Sequence, residues 1–160
     1  MESAAAGRWL DDSEMRAWRS YVETVGNLNT AIEGDLAPTG LTLGDYQLLV
    51  YLSEAPDHRM RMCDLAAALQ LSPSGLTRRL DGLVRNGYVL RIGADDDRRV
   101  MLAVLTSAGF DALAQAAPIH VESVRRRILD HLEPGQVAAM GDVFEAIRTA
   151  LGCDGPTTDQ

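Results

Sequence analysis

The 160-residue sequence contains no lysine, and all fifteen of its basic residues are arginine. That excludes a phosphate-binding P-loop lysine, a Schiff-base lysine and a lysine general base. Only three histidines occur, His58, His120 and His131, and there is no Gly-x-Ser-x-Gly, Gly-x-Gly-x-x-Gly or His-Glu-x-x-His. Most common catalytic constellations have no residues to be built from, so the chain does not read as an enzyme. Cys63 and Cys153 lie too far apart for a Cys-x-x-Cys site and are too few for a disulfide framework. The longest apolar run, Val100 to Leu105, is far shorter than a membrane helix requires. Met1 to Gly7 has neither the basic region nor the apolar stretch of a signal peptide. These absences predict a cytoplasmic protein with no membrane partner and no cofactor. His120 and His131 would stand about 16 Å apart on one helix and cannot chelate one ion, so no metal is expected.

The net charge is −8, but it is unevenly spread. Residues 59–99 hold eight arginines against five acids, leaving seven basic and eighteen acidic residues for the rest. Local charge decides whether a face can sit against phosphate. The middle of the chain is a basic module in an acidic frame.

Met15, Trp18, Val22, Val25, Leu28 and Ile32 recur at steps of three and four, predicting a long amphipathic helix from Arg8 to about Gly34. Thr42 with Asp45 resembles a capping box and opens a second helix running to about Glu54. A short extended piece, Arg59 to Met62, leads to a third helix over Asp64 to Gln70. Ser72 is an N-cap and Pro73 a first helical residue for a fourth helix, which Gly87 stops. Two β-like runs, Tyr88–Gly93 and Arg99–Leu105, flank a polar tip and predict a hairpin. Thr106 caps a fifth helix reaching about Leu132, in which Pro118 predicts a kink or break. Pro134 and Gly135 start a sixth helix with Val137, Met140, Phe144, Ile147 and Leu151 on its apolar face.

Helix, turn, helix and then a hairpin is the order of a winged helix-turn-helix. The predicted fold is mainly α with a small β-hairpin wing. A DNA-binding lobe over 37–105 is flanked by a helical dimerisation frame over 8–36 and 106–151. Residues 1–7 and 152–160 are expected to be disordered. The long apolar stripes are wider than so small a core can use, which predicts a two-fold homodimer.

Three stretches resemble the MarR (multiple antibiotic resistance regulator) family: Leu80-Asp81-x-Leu83-Val84-x-x-Gly87-Tyr88-Val89, Asp96-Asp97-Arg98-Arg99, and Leu105-Thr106-x-x-Gly109. The resemblance runs from about Arg8 to Leu151. It implies a DNA-binding regulator, a repressor on a pseudo-palindromic operator, released by a small aromatic or phenolic effector. Ser72, Ser74 and Gly75 begin the fourth helix, where free N–H groups and the positive dipole end favour phosphate. Resemblance makes Thr77 and Arg78 phosphate or base contacts, with Arg79 beside them. It also implies that Arg99 enters the minor groove, oriented by Asp97, with Arg98 adjacent. Gly82 stands where members of the family often carry arginine or lysine.

Trp18, Tyr21, Tyr46, Tyr51 and His120 are the candidate effector-pocket residues, with dimer and core packing as the alternative reading. Cys63, at the start of the third helix, is a candidate oxidant sensor, although Asp64 beside it opposes a lowered thiol pKa. Two other functions fit parts of the sequence. One is a winged-helix module binding protein in place of DNA, favoured by Gly82 and the overall negative charge. The other is an enzyme using Asp95, Asp96 and Asp97 as a cation cluster, although a charged hairpin tip is a poor place for a pocket.

Overall fold

The computed structural model describes residues 8–94 and 99–152. The expectations for residues 1–7, for residues 153–160 and for the wing tip, including Asp97 and Arg98, lie outside the described residues. Among the described residues six α-helices and three strands follow one another: α1 (Asp12–Leu36), α2 (Leu43–Glu54), β1 (Arg59–Arg61), α3 (Met62–Ala68), α4 (Pro73–Arg85), β2 (Val89–Gly93), β3 (Met101–Leu105), α5 (Ser107–Arg127) and α6 (Pro134–Ala150).

Local capping chemistry sets most of the boundaries. Helix α1 begins at Asp12, not Arg8, because Asp11 and Glu14 form a reciprocal capping box. Thr42 and Asp45 form the predicted box at α2. Helix α3 starts two residues earlier than predicted, at Met62, after a residue with no capping side chain. It ends at Ala68, and Gln70 takes a φ of +52°. At the end of α4, Gly87 adopts a φ of +74°. Its N–H donates to the Val84 carbonyl and the Tyr88 N–H to that of Leu83, a Schellman stop that favours glycine.

The three strands form one antiparallel sheet in the order β1-β3-β2. The predicted extended piece is thus a third strand, with Met60 opposite Ala103, and β2 places Arg91 opposite the same residue. Both hairpin strands start later than predicted, at Val89 and Met101.

Helix α5 runs through Pro118 without a break and ends at Arg127, short of Leu132. Pro118 is exposed, while Leu113, Ala116 and Ser123 on either side are buried, so tertiary packing holds the helix across the missing N–H. The chain leaves the helix at Ile128 (φ −127°, ψ −66°) and makes a short 3-10 turn over Leu129–His131.

The core is made of leucines from every layer. Leu36, Leu48, Leu49, Leu52, Leu65, Leu76, Leu80, Leu83 and Val89 are fully buried. The last turns of α1 and the first half of α5 close this core through Ile32, Leu36, Leu113 and Ala116. Gly109 lets α5 start against the wing base, because a Cβ there would fall on the Tyr88 carbonyl oxygen. Thr106 completes the joint: its N–H and hydroxyl reach the Tyr88 and Gly87 carbonyls, and its oxygen accepts from the Gly109 N–H. The Leu105-Thr106-x-x-Gly109 pattern is therefore the joint between the wing and α5.

Outside this core the apolar stripes lie open. Trp18 is 56% exposed on α1, and α6 buries no residue at all.

Candidate nucleic-acid interface

Helix α4 is divided lengthwise. Leu76, Leu80 and Leu83, at i, i+4 and i+7, face the core, leaving Ser72, Ser74, Thr77, Arg78, Asp81 and Arg85 exposed. Ser72 Oγ accepts from the Gly75 N–H at 3.1 Å and lies 3.1 Å from Ser74 Oγ. A Cβ on Gly75 would sit 3.2 Å from that same oxygen, so glycine there first accommodates the cap. Pro73 removes one of the N–H groups that would be unbonded in the first turn. The hydroxyl of Thr77 donates to the Pro73 carbonyl at 2.9 Å, which leaves its oxygen to accept and its methyl free for apolar contact. Arg78 is exposed beside it.

Arg79 departs from that face. It is half-buried, and its guanidinium fills the space that a Cβ on Gly44 in α2 would occupy. Arg99 is exposed at the base of the wing tip. Gly82 has open space around the position of a Cβ, so the room for a longer side chain exists there.

One residue of this surface escaped the sequence reading. Arg91 in β2 donates from Nη2 to the Thr77 carbonyl at 2.9 Å and to Asp81 Oδ1 at 2.8 Å. The signal was present in the strand alternation. Val89 faces the core, so Arg91 two residues on shares its side, and an inward-facing charge requires a partner.

Four of the five candidate pocket residues form two pairs, and Tyr51 stands apart. Tyr46 of α2 and His120 of α5 pack with ring centroids 4.4 Å apart, and Trp18 and Tyr21 lie 5.9 Å apart on exposed α1. Tyr51 is half-buried against the leucine core. Burial pushes the His120 imidazole below its ordinary pKa, and its Nδ1 is shielded without a hydrogen-bond partner among the described residues. Burial raises the Tyr46 hydroxyl, with Glu54 adding to the effect. Cys63 is exposed, and its thiol donates to Asp64 Oδ1 at 3.3 Å. No group of three His, Cys, Asp or Glu side chains among the described residues is arranged to hold a metal ion. No described helix is long and apolar enough to cross a membrane.

The arrangement agrees with what the chain resembles. Residues 39–100 match the MarR family model. The structure of AbsC, a MarR family transcriptional regulator from Streptomyces coelicolor, is similar with a TM-score of 0.84 and 40% identity, covering 90% of this chain and 97% of that one. Sco3205 from the same organism, solved in complex with DNA, matches with a TM-score of 0.85 and 34% identity over 94% and 97% of the two chains. The transcriptional repressor YetL of Bacillus subtilis is 29% identical over 141 residues, 86% of this chain and 84% of its own. A leucine-backed recognition helix, a three-stranded wing, long flanking helices and identity at this level over nearly the whole length admit one assignment: the chain belongs to the MarR family of transcriptional regulators.

Proposed function

We propose that the protein is a homodimeric transcriptional repressor that reads a pseudo-palindromic site in double-stranded DNA. The observation that carries this reading is the lengthwise division of α4, in which three buried leucines present Ser72, Ser74, Thr77 and Arg78 together on the outer face. The start of α4, with Gly75 keeping the first turn slim, enters the major groove. Arg78 reaches base edges or phosphate, and Thr77 offers an acceptor and a methyl. The wing carries Arg98 and Arg99 toward the adjacent minor groove, with Asp97 orienting the arginine that enters. Arg79 supports α4 from the side of α2. The frame over 8–36 and 106–151 supplies the dimer contacts, which accounts for the exposed apolar faces of α1 and α6. A two-fold axis then sets two α4 helices about one helical turn of DNA apart.

Repression is relieved, in this reading, by a small aromatic or phenolic effector seated between frame and lobe beside Tyr46 and His120. Those two side chains join a lobe helix to a frame helix, so a ligand that separates them changes the spacing of the α4 pair.

Fluorescence anisotropy against DNA flanking the protein's own gene, at two salt concentrations, tests the reading. Saturable binding that outcompetes random DNA, weakened by Arg78→Ala, is the expected result. Absence of binding at low salt overturns it, since each neutralised phosphate contributes about −0.9 to the log–log salt slope and low salt favours any such contact.

A further inference from the structure

We propose that Arg91 is a positioning residue for DNA recognition, a strut from the wing that fixes the roll and height of the recognition helix without touching DNA. The inference rests on the DNA-binding reading and adds to it how wing and helix are held in one geometry.

Arg91 lies in the middle of β2, on the side of the sheet that Val89 turns toward the core. Its cross-strand neighbour is the fully buried Ala103. From there a single nitrogen, Nη2, reaches both the Thr77 carbonyl and Asp81 Oδ1. Thr77 and Asp81 are one helical turn apart, so the guanidinium clasps one full turn of α4, the turn that carries Arg78 on its outer face. Arg91 Nε is shielded from solvent and has no hydrogen-bond partner among the described residues, so the group is committed to this direction at some polar cost.

The need for such a strut follows from how α4 is otherwise held. Leu76, Leu80 and Leu83 anchor it through apolar contact, which is strong but has little directional preference. Base readout demands side chains held within about 0.5 Å of a productive geometry. A guanidinium nitrogen bonding a backbone carbonyl and a carboxylate supplies direction that leucines do not. Strand β2 runs on toward the wing tip, so the same contact ties the major-groove element to the minor-groove element. The two grooves are then read in one register, and loss of the strut lowers discrimination more than it lowers attraction to phosphate.

The test compares wild type, Arg91→Met and Asp81→Asn on two duplexes across a salt series. One duplex is selected by the wild-type protein from a random pool, and the other is a random sequence of equal length. Arg91→Met is expected to weaken binding to the selected duplex by about tenfold or more, within the range of losing one good base contact. Binding to the random duplex and the salt slope should hardly change. Asp81→Asn keeps an acceptor oxygen and is expected to fall between. A loss shared equally by both duplexes, with the slope shallower by about 0.9 per phosphate, makes Arg91 a phosphate contact and overturns the proposal. Unchanged selectivity in Arg91→Met overturns it as well. Should Arg91→Met not fold, Asp81→Asn alters an exposed carboxylate and carries the test alone, with wild-type selectivity as the overturning result. A wild-type protein that binds neither duplex defeats the DNA reading itself, and the strut with it.

Discussion

Asp35, in the last turns of α1, accepts hydrogen bonds from both Nε and Nη2 of Arg127 at the end of α5, at 2.7 and 3.0 Å. The same carboxylate takes the Ser123 hydroxyl at 2.6 Å and Arg126 Nη2 at 3.0 Å. A carboxylate near a helix C-terminus is electrostatically misplaced by itself, and a bidentate arginine offsets that. The Arg127 hydrogen bonds, then that of Ser123, hold the Asp35 carboxyl well below the usual carboxylate range. This clasp joins the last turns of α1 to the end of α5.

Because the folded-state pKa of Asp35 is depressed, its contribution to stability is complete above the unfolded value, about 3.9. It is lost as pH falls below that, since the unfolded chain then binds the proton more readily. Asp35→Asn is expected to melt at a lower temperature than wild type at pH 7. The gap should narrow progressively once the pH drops below about 4. Thermal melts over a pH series check this, and a gap that stays constant through the acid range excludes the clasp as its source.

Two glycines on either side of the wing should respond in opposite senses. A Cβ at Gly82 meets open space in a helix interior, so Gly82→Ala is expected to raise stability by about 0.5–1 kcal/mol. A Cβ at Gly109 would land on the Tyr88 carbonyl, and Gly109→Ala should cost about 1–3 kcal/mol, the range of overpacking in a close-fitted joint. Urea denaturation of both variants decides it. Two changes of the same sign would contradict the space assigned at one of the positions.

What the sequence made legible was the part governed by local chemistry. Thr42, Ser72, Gly87 and Thr106 mark helix ends because each acts on backbone groups within a few residues. The outer face of α4 is set by leucines at i, i+4 and i+7, although it is resemblance that assigns Thr77 and Arg78 to it. Pro118 misled for the opposite reason: its intrinsic cost is local, but the packing of Leu113, Ala116 and Ser123 that overrides it is not. Nor was there any local mark of the Asp35 clasp, whose partners lie about ninety residues on. Arg91 was legible in strand alternation, but only once its burial was weighed against its charge. The stripes of α1 and α6 foretold faces in need of cover without naming what covers them.

Those faces make a direct prediction about assembly. Val143, Phe144 and Ile147 on α6, a helix with no buried residue, and Leu151 at its C-cap are each about half exposed or more. In a homodimer they are covered by the second copy, and a charge placed among them must be desolvated without a partner. Phe144→Glu is expected to shift the protein from dimer to monomer in sedimentation velocity at micromolar concentration. Operator affinity should fall with it, because two half-sites are no longer held together. A dimer that survives this change would move the interface away from α6.

The Tyr46–His120 contact predicts a second acid-sensitive transition, separable from that of Asp35. Burial depresses the His120 pKa, so the fold favours the neutral ring and the unfolded chain takes up the proton first. Stability should therefore begin to fall as pH drops through about 6.5, well above the carboxylate range in which Asp35 acts. His120→Phe keeps a ring against Tyr46 and removes the titration. Its melting temperature should be nearly flat between pH 7 and pH 5 relative to wild type, while the loss below pH 4 persists. Because the contact joins α2 to α5, the same loosening should lower operator affinity at pH 5.5 in wild type but not in His120→Phe. Equal pH dependence in the two proteins would assign the transition to another group and leave the Tyr46–His120 contact as packing alone.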